Sequence, residues 1–156
     1  MSTTYYTTIP SPIGELLLTS DGRSLTGLEM SPFTPPIRGQ RDKSPFEDII
    51  GQLDEYFTGA RKSFDVPLRA SGTPFQLRVW AGLREIPYGR TISYGELARR
   101  IGNPRAMRAV GRANGSNPIA VIVPCHRVIG ANGTLTGYGG GLDRKAKLLA
   151  LEGISV

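Results

Sequence analysis

The run Ile122-Val123-Pro124-Cys125-His126-Arg127-Val128-Ile129 sets the chain's only cysteine beside its only histidine. A thiolate is a strong nucleophile, but a free thiol with a pKa near 8.5 is only a few per cent ionised at neutral pH, so it needs an activator. His126 is the one imidazole available. Adjacent residues of a strand or helix point in different directions, so the expected link between thiol and ring is a bridging water. A carboxylate must then orient the ring, and Glu152, Glu96 and Asp143 all stay open on sequence alone. The competing reading is a small buried hydrophobe, as most free cysteines are. A lone thiol rules out a disulfide, a thiolate zinc cage and a resolving cysteine, so this chain has no thiol to undo whatever Cys125 accepts.

The elements that must hold this pair lie in a chain of 156 residues, enough for one ordinary domain or two small ones, with 39% apolar residues for a core. No run approaches the roughly 20 apolar residues of a membrane span, and the N-terminus lacks the pattern of a signal peptide. A cytoplasmic, non-membrane protein is expected, a setting in which a free thiol stays reduced. The net charge of +6 is uneven. Residues 1–69 carry seven Lys/Arg against nine Asp/Glu, whereas residues 70–156 carry twelve against four, ten of the twelve being arginine. A C-terminal half at +8 is the electrostatic footprint of a polyanion binder, and arginine is the better phosphate and base-stacking cation. A merely solubilising basic face is the plainer alternative.

The N-terminal half, 1–69, reads as a small α+β unit. Strands are expected at Tyr5 to Thr8, Ile13 to Thr19 and Ser24 to Met30, the last two joined by an Asp21-Gly22 turn. A proline-rich loop, Ser31 to Pro45, leads to a helix from Phe46 to Phe57 with Ile49, Ile50, Leu53 and Phe57 on one side, then a strand from Phe64 to Leu68. The remainder, 70–156, is expected to be mainly helical. Thr73-Pro74 opens a first helix, and Ser93 with Glu96 forms a capping box for a second, Tyr94 to Ile101. Gly102-Asn103-Pro104 breaks it, and a third helix is expected from Pro104 to Ala113, completing a helix-turn-helix. On that third helix Arg105, Arg108 and Arg112 fall at i, i+3 and i+7, while Ala106, Ala109 and Gly111 keep the surface thin, so it can approach a duplex closely. A buried strand, Ile119 to Val123, is expected to end at the thiol, followed by the glycine-rich loop Gly130 to Gly141 and a last helix, Leu142 to Gly153.

These residues resemble the O6-alkylguanine-DNA alkyltransferases. The likeness runs from Thr73 to Gly153 through Pro74-Phe75-Gln76, Val79-Trp80, Ile86-Pro87-Tyr88-Gly89, Ser93-Tyr94, Arg108-Ala109-Val110-Gly111, Asn117-Pro118, Pro124-Cys125-His126-Arg127-Val128, Tyr138, Gly140-Gly141 and Leu148-Leu149. The N-terminal half is similar only in outline to the family's ribonuclease-H-like domain, through Ser11-Pro12-Ile13-Gly14 and the helix ending at Phe57.

The resemblance implies an α+β protein that binds the minor groove of duplex DNA and flips an alkylated guanine, or an O4-alkylated thymine, out of the stack. It makes Cys125 the alkyl acceptor, His126 the base acting through water and Glu152 the carboxylate that orients it. Asn117 braces the turn near the thiol, and Tyr94 donates to guanine N3. The carbonyls of Cys125 and Val128 read the guanine amino group, while Tyr138 and the backbone at Gly139 wall the pocket. Arg108 fills the gap in the stack, with Arg105, Ala106, Met107, Ala109 and Arg112 on the same DNA-facing helix. No cofactor and no metal are implied, and a monomer is expected, with cooperative binding along DNA left open. Met107 stands where many relatives have a small residue, so it either packs inward or alters the docking of the helix. Ala120 replaces a proline that in some relatives holds bulky benzyl groups. Two other classes compete: a lesion sensor, which would lack the acceptor cysteine, and a helix-turn-helix regulator, which would bind one palindromic site as a dimer. A thiol hydrolase would differ from both by turning over.

Overall fold

The structure, a computed structural model, describes residues 3–155, and the chain divides into two compact units that meet between Ser71 and Gly72. In the first unit, β1 (Tyr5–Ile9) pairs antiparallel with β2 (Leu16–Ser20), and β2 pairs antiparallel with β3 (Leu25–Met30). Leu16, Leu17 and Leu18 are all buried, so both faces of β2 are covered. The second strand begins three residues later than the sequence pattern predicts. Ser11 Oγ accepts from the Ile13 N–H and donates to the Gly14 carbonyl, and this holds Ile13-Gly14 in a turn. The Asp21-Gly22 hairpin forms as expected, with Asp21 Oδ1 accepting from the N–H groups of Arg23 and Ser24.

Three other expectations for this unit fail. The proline-rich loop contributes a short strand, β4 (Gln40–Arg41), parallel to β1, giving the order β3-β2-β1-β4. Phe64 to Leu68 is not a strand: it touches the sheet by a single bridge between Leu25 and Leu68, and Pro67 can offer only its carbonyl. A 3₁₀ turn at Ser44–Phe46 leads into α1 (Glu47–Phe57), whose buried side is Ile49, Leu53 and Tyr56, with Phe46 just before it. Tyr56 replaces Phe57 as the inward residue: it continues the row of Ile49 and Leu53, and its ring meets those of Phe57 and Phe64, each with centroids 5.3 Å away.

The second unit opens with α2 (Pro74–Arg84), which buries Val79, Trp80 and Leu83. Thr73 caps it reciprocally: Oγ1 accepts from the Gln76 N–H while the Gln76 side chain accepts from the Thr73 N–H. Short strand β5 (Ile92–Ser93) runs into α3 (Tyr94–Arg100). Only half of the expected capping box forms there. Ser93 Oγ accepts from the Glu96 N–H, but the Glu96 carboxylate is drawn out to Arg99 and Arg100. The next helix, α4 (Met107–Gly115), starts three residues late, because Asn103 C=O accepts from the Ala106 N–H and closes a separate turn over Pro104-Arg105. Trp80 Nε1 donates to the Ala113 carbonyl at 2.8 Å and locks α2 to α4. Gly82 lets α3 close on α2, since a Cβ there would lie 3.1 Å from side-chain carbons of Leu97 and Ile101.

Residues 119–123, all buried but the half-buried Ala120, form no strand. Val121 sits at φ 72°, a left-handed conformation that an extended strand cannot contain, and the Val123 N–H returns to the Ile119 carbonyl. Cys125–Arg127 is a 3₁₀ turn, followed by β6 (Val128–Ile129), parallel to β5, and by α5 (Leu142–Leu151). In this parallel register Ser93, the cap of α3, stands opposite Ile129, just after the cysteine turn. The whole is an α+β chain, a sheet-bearing unit followed by a mainly helical one with α3–turn–α4 as its helix-turn-helix.

Replacing Thr73 by Ala removes one side of the reciprocal cap and should lower the unfolding free energy by about 1 kcal/mol. A urea titration followed by circular dichroism measures it, and an unchanged midpoint would count against this cap as a stabilising feature.

Candidate active site

The site is organised around a carboxylate. Glu152, at the C-terminal end of α5, is buried, in a place where helix carbonyls make a negative charge unfavourable. Donors compensate it. Arg127 binds it in a fork, Nε to Oε1 at 2.8 Å and Nη2 to Oε2 at 3.0 Å; His126 Nε2 lies 2.7 Å from Oε2; the Gly89 N–H reaches Oε1 at 3.1 Å. Arg127 also donates Nη1 to the Ile86 carbonyl, tying this cluster to the turn after α2. Of the three carboxylates open on sequence alone, Glu152 is the one that reaches the imidazole. Glu96 is half-exposed and held by two arginines, and Asp143 is exposed in the first turn of α5.

A carboxylate bridged to arginine can only accept hydrogen bonds, so His126 Nε2 carries the ring proton. Nδ1 is then left as a lone pair. It is buried and has no hydrogen-bond partner among the described residues, so the ring keeps a free acceptor. Burial pushes the imidazole below its ordinary value, against the upward pull of Glu152, while the charges of Arg127 and Lys145 add to the lowering. A neutral ring with its basic nitrogen free is the form a general base requires.

The thiol is in the opposite condition. Burial pushes Cys125 up, and the Asn117 amide, the charge of Lys145 and the Tyr138 hydroxyl pull it back only in part. The sulfur therefore rests as a thiol and must lose its proton during attack. Asn117 also braces the 119–123 turn: Nδ2 donates to the Val123 carbonyl at 2.8 Å, and Oδ1 accepts from the Ile119 N–H. Asn114, which the sequence reading passed over, is buried on α4 and donates to the Cys125 carbonyl at 3.4 Å.

A cavity of about 630 Å³ lies between α3, α4 and the 130–141 loop. Tyr94, Met107, Arg108, Thr136, Tyr138 and Gly139 line it, whereas Cys125, Val128 and Ala120 do not. Val128 is fully buried in β6, and Ala120 sits in the turn where its carbonyl accepts from the Ile122 N–H. Arg108 and Arg112 are exposed on α4 with Ala109 between them. Arg105 leaves the expected stripe, because the Asn103–Ala106 turn takes it off the helix, and Ala106 becomes the residue that precedes it. Met107 does not pack inward; at 52% exposure it forms part of the rim. Lys145, also missed, is a fully buried cation of α5, and its Nζ donates to the Thr136 carbonyl at 2.7 Å. Its signal was weak, a lysine on an otherwise ordinary amphipathic helix. Among the described residues, no group of three or more His, Cys, Asp or Glu is placed to hold a metal, and no helix is long and apolar enough to cross a membrane.

The family model for the DNA binding domain of 6-O-methylguanine DNA methyltransferase matches residues 74–154, and the model for its ribonuclease-like domain matches residues 4–70. A methylated-DNA–protein-cysteine methyltransferase of Mycobacterium tuberculosis is 56% identical over 151 residues, covering 95% of this chain and 92% of that protein. The namesake from Methanosarcina acetivorans is 52% identical over 153 residues, covering 96% and 98%. The crystal structure of the M. tuberculosis O6-methylguanine methyltransferase superposes with a TM-score of 0.91 at 55% identity, over 96% of this chain and 92% of that one. The structure of M. tuberculosis OGT in complex with DNA gives 0.91 at 56%, over 95% and 92%.

One histidine and one cysteine make both titrations clean to read. The imidazole should titrate below 6.5 by NMR and the thiol above 9.0 by ultraviolet absorbance. The unfolded chain gains a proton on the ring below 6.5 and loses one from the thiol above its free value near 8.5, whereas the folded chain titrates each group only further out. Both groups should therefore erode stability outward from that window. A thiol midpoint under 9.0 would contradict the resting thiol described above.

Proposed function

The chain belongs to the 6-O-methylguanine DNA methyltransferase family, and on that premise we propose that it repairs duplex DNA by moving a methyl or larger alkyl group from O6 of guanine onto Cys125 Sγ. The observation that carries the reading is the buried row Cys125, His126, Glu152, in which the only thiol stands next to a neutral imidazole whose proton is held by a carboxylate. The thiol proton passes through a water to His126 Nδ1, and Glu152 stabilises the imidazolium that results. The sulfur attacks the alkyl carbon, the carbon–O6 bond breaks, and its electron pair leaves on the guanine. Tyr94 donates to N3 and offsets that developing charge. The carbonyls of Cys125 and Val128 accept from the guanine amino group, and Tyr138 with the Gly139 backbone walls O6.

The product is a thioether. No thiol in the chain can exchange with it, so each molecule acts once, and no cofactor enters because the cysteine is both nucleophile and final acceptor. DNA is engaged through α4 and the turn before it: Arg108 enters the stack in place of the flipped base, and Arg112 and Arg105 serve the phosphates. Residues 1–69 are the structural domain and residues 70–156 the domain that binds DNA and accepts the alkyl group. The protein works as a monomer in the cytoplasm, where its thiol stays reduced. A lesion sensor would lack Cys125, and a dimeric regulator would show preference for one palindrome.

With excess O6-methylguanine duplex, intact-protein mass spectrometry should show one added methyl group on the peptide holding Cys125 and then no further consumption of substrate. Continued turnover would identify a hydrolase. Replacing Arg108 by Ala should slow transfer from duplex far more than from the free base, because a free base leaves no gap to fill. Equal losses on the two substrates would place Arg108 in the pocket or in folding.

A further inference from the structure

One residue of the 130–141 loop is held by two bonds that serve different ends. The Thr136 carbonyl accepts from Lys145 Nζ at 2.7 Å, and Thr136 Oγ1 donates to the Tyr94 hydroxyl at 3.2 Å. The first bond is an anchor. Lys145 is fully buried, and a buried ammonium that loses an acceptor bears a heavy desolvation penalty, so the backbone at Thr136 is fixed by the needs of α5. The second bond follows from that anchor. With the backbone held, the β-branched side chain has few rotamers, and its hydroxyl is delivered to Tyr94 across the mouth of the cavity that both residues line.

A phenol has one proton to give and can accept as well. When Thr136 donates to the Tyr94 oxygen, the Tyr94 proton is left for another acceptor, and hydrogen bonds in such a chain polarise one another. We propose that Thr136 is a positioning residue for the transfer, orienting the Tyr94 hydroxyl and strengthening it as a donor toward N3 of the flipped purine. The inference rests on the reading of Tyr94 as that donor. Lys145 is part of the same device, since its buried charge holds the carbonyl while its field reaches the thiol.

Thr136→Val keeps the shape and the carbonyl that Lys145 needs but removes the hydroxyl; Thr136→Ser keeps the hydroxyl. Single-turnover rates are measured on duplex holding O6-methylguanine and on duplex holding O6-methyl-3-deazaguanine, in which a C–H replaces the N3 acceptor. The valine variant should be about fivefold slower on the first substrate, the worth of one net hydrogen bond, and equal to wild type on the second. Serine should restore the rate, and adding Thr136→Val to Tyr94→Phe should cost nothing more. Equal slowing on both substrates, or a further loss in the Tyr94→Phe background, would mean that Thr136 only shapes the loop, and the proposal fails. If Tyr94→Phe is slow while Thr136→Val is not, Thr136 fails alone and the reading of Tyr94 stands; if Tyr94→Phe transfers at full rate, both fall.

Discussion

A carboxylate buried at the wrong end of a helix is the constraint around which the second unit is built. Glu152 faces the carbonyl end of α5 and is shielded from water, so it is tolerable only where donors converge on it. Those donors come from separated segments: Gly89 from the turn after α2, and His126 and Arg127 from the 3₁₀ turn. Satisfying one charge therefore docks three parts of the chain at once. Removing either member of such a buried pair typically costs about 3–5 kcal/mol, since it strands the other. The same atoms that fix the fold here also fix the tautomer of His126. Stability and chemistry cannot be separated at this position.

Burial has an opposite effect on the two reacting groups, and the opposition is useful. Loss of solvent holds Cys125 as a thiol and His126 as a neutral ring, so no charge is stored before substrate arrives. A resting thiolate in an exposed groove would be open to oxidation and to stray electrophiles. In the proposed transfer the proton moves only when a group that can accept the sulfur is in place, and the basic nitrogen that takes it is the one Glu152 leaves free.

Around that core the surface is divided by charge. Glu96, half-exposed on α3, is paired with Arg99 and Arg100, whereas Arg108 and Arg112 of α4 stand exposed beside small residues. The helix that presents cations is thus the one able to come closest to a duplex. Met107 at its start gives the rim an apolar edge next to Arg108, a pairing that suits the proposed extrusion of a base.

Features set by near neighbours were legible in the sequence. The pairing of the only thiol with the only imidazole, the Thr73 cap, the Asp21-Gly22 hairpin and the helix-turn-helix each depend on residues a few positions apart, and local hydrogen-bond geometry decides them. The Pro-Cys-His-Arg motif carried the family for the same reason. Where several weak local signals competed, tertiary structure decided. The 119–123 segment has the apolar run of a strand, yet Asn117 and a left-handed Val121 fold it into a turn beneath the thiol. Pattern put Arg105 on the helix, but one backbone hydrogen bond to Asn103 took it off. Which of three carboxylates meets His126 could not be read locally, because the pair is 26 residues apart and its partner Arg127 is what makes burial of Glu152 tolerable. Lys145, Asn114 and Thr136 stayed silent for the same physical reason: a polar side chain acquires its role from what surrounds it when water is removed, and a sequence names the side chain without its surroundings.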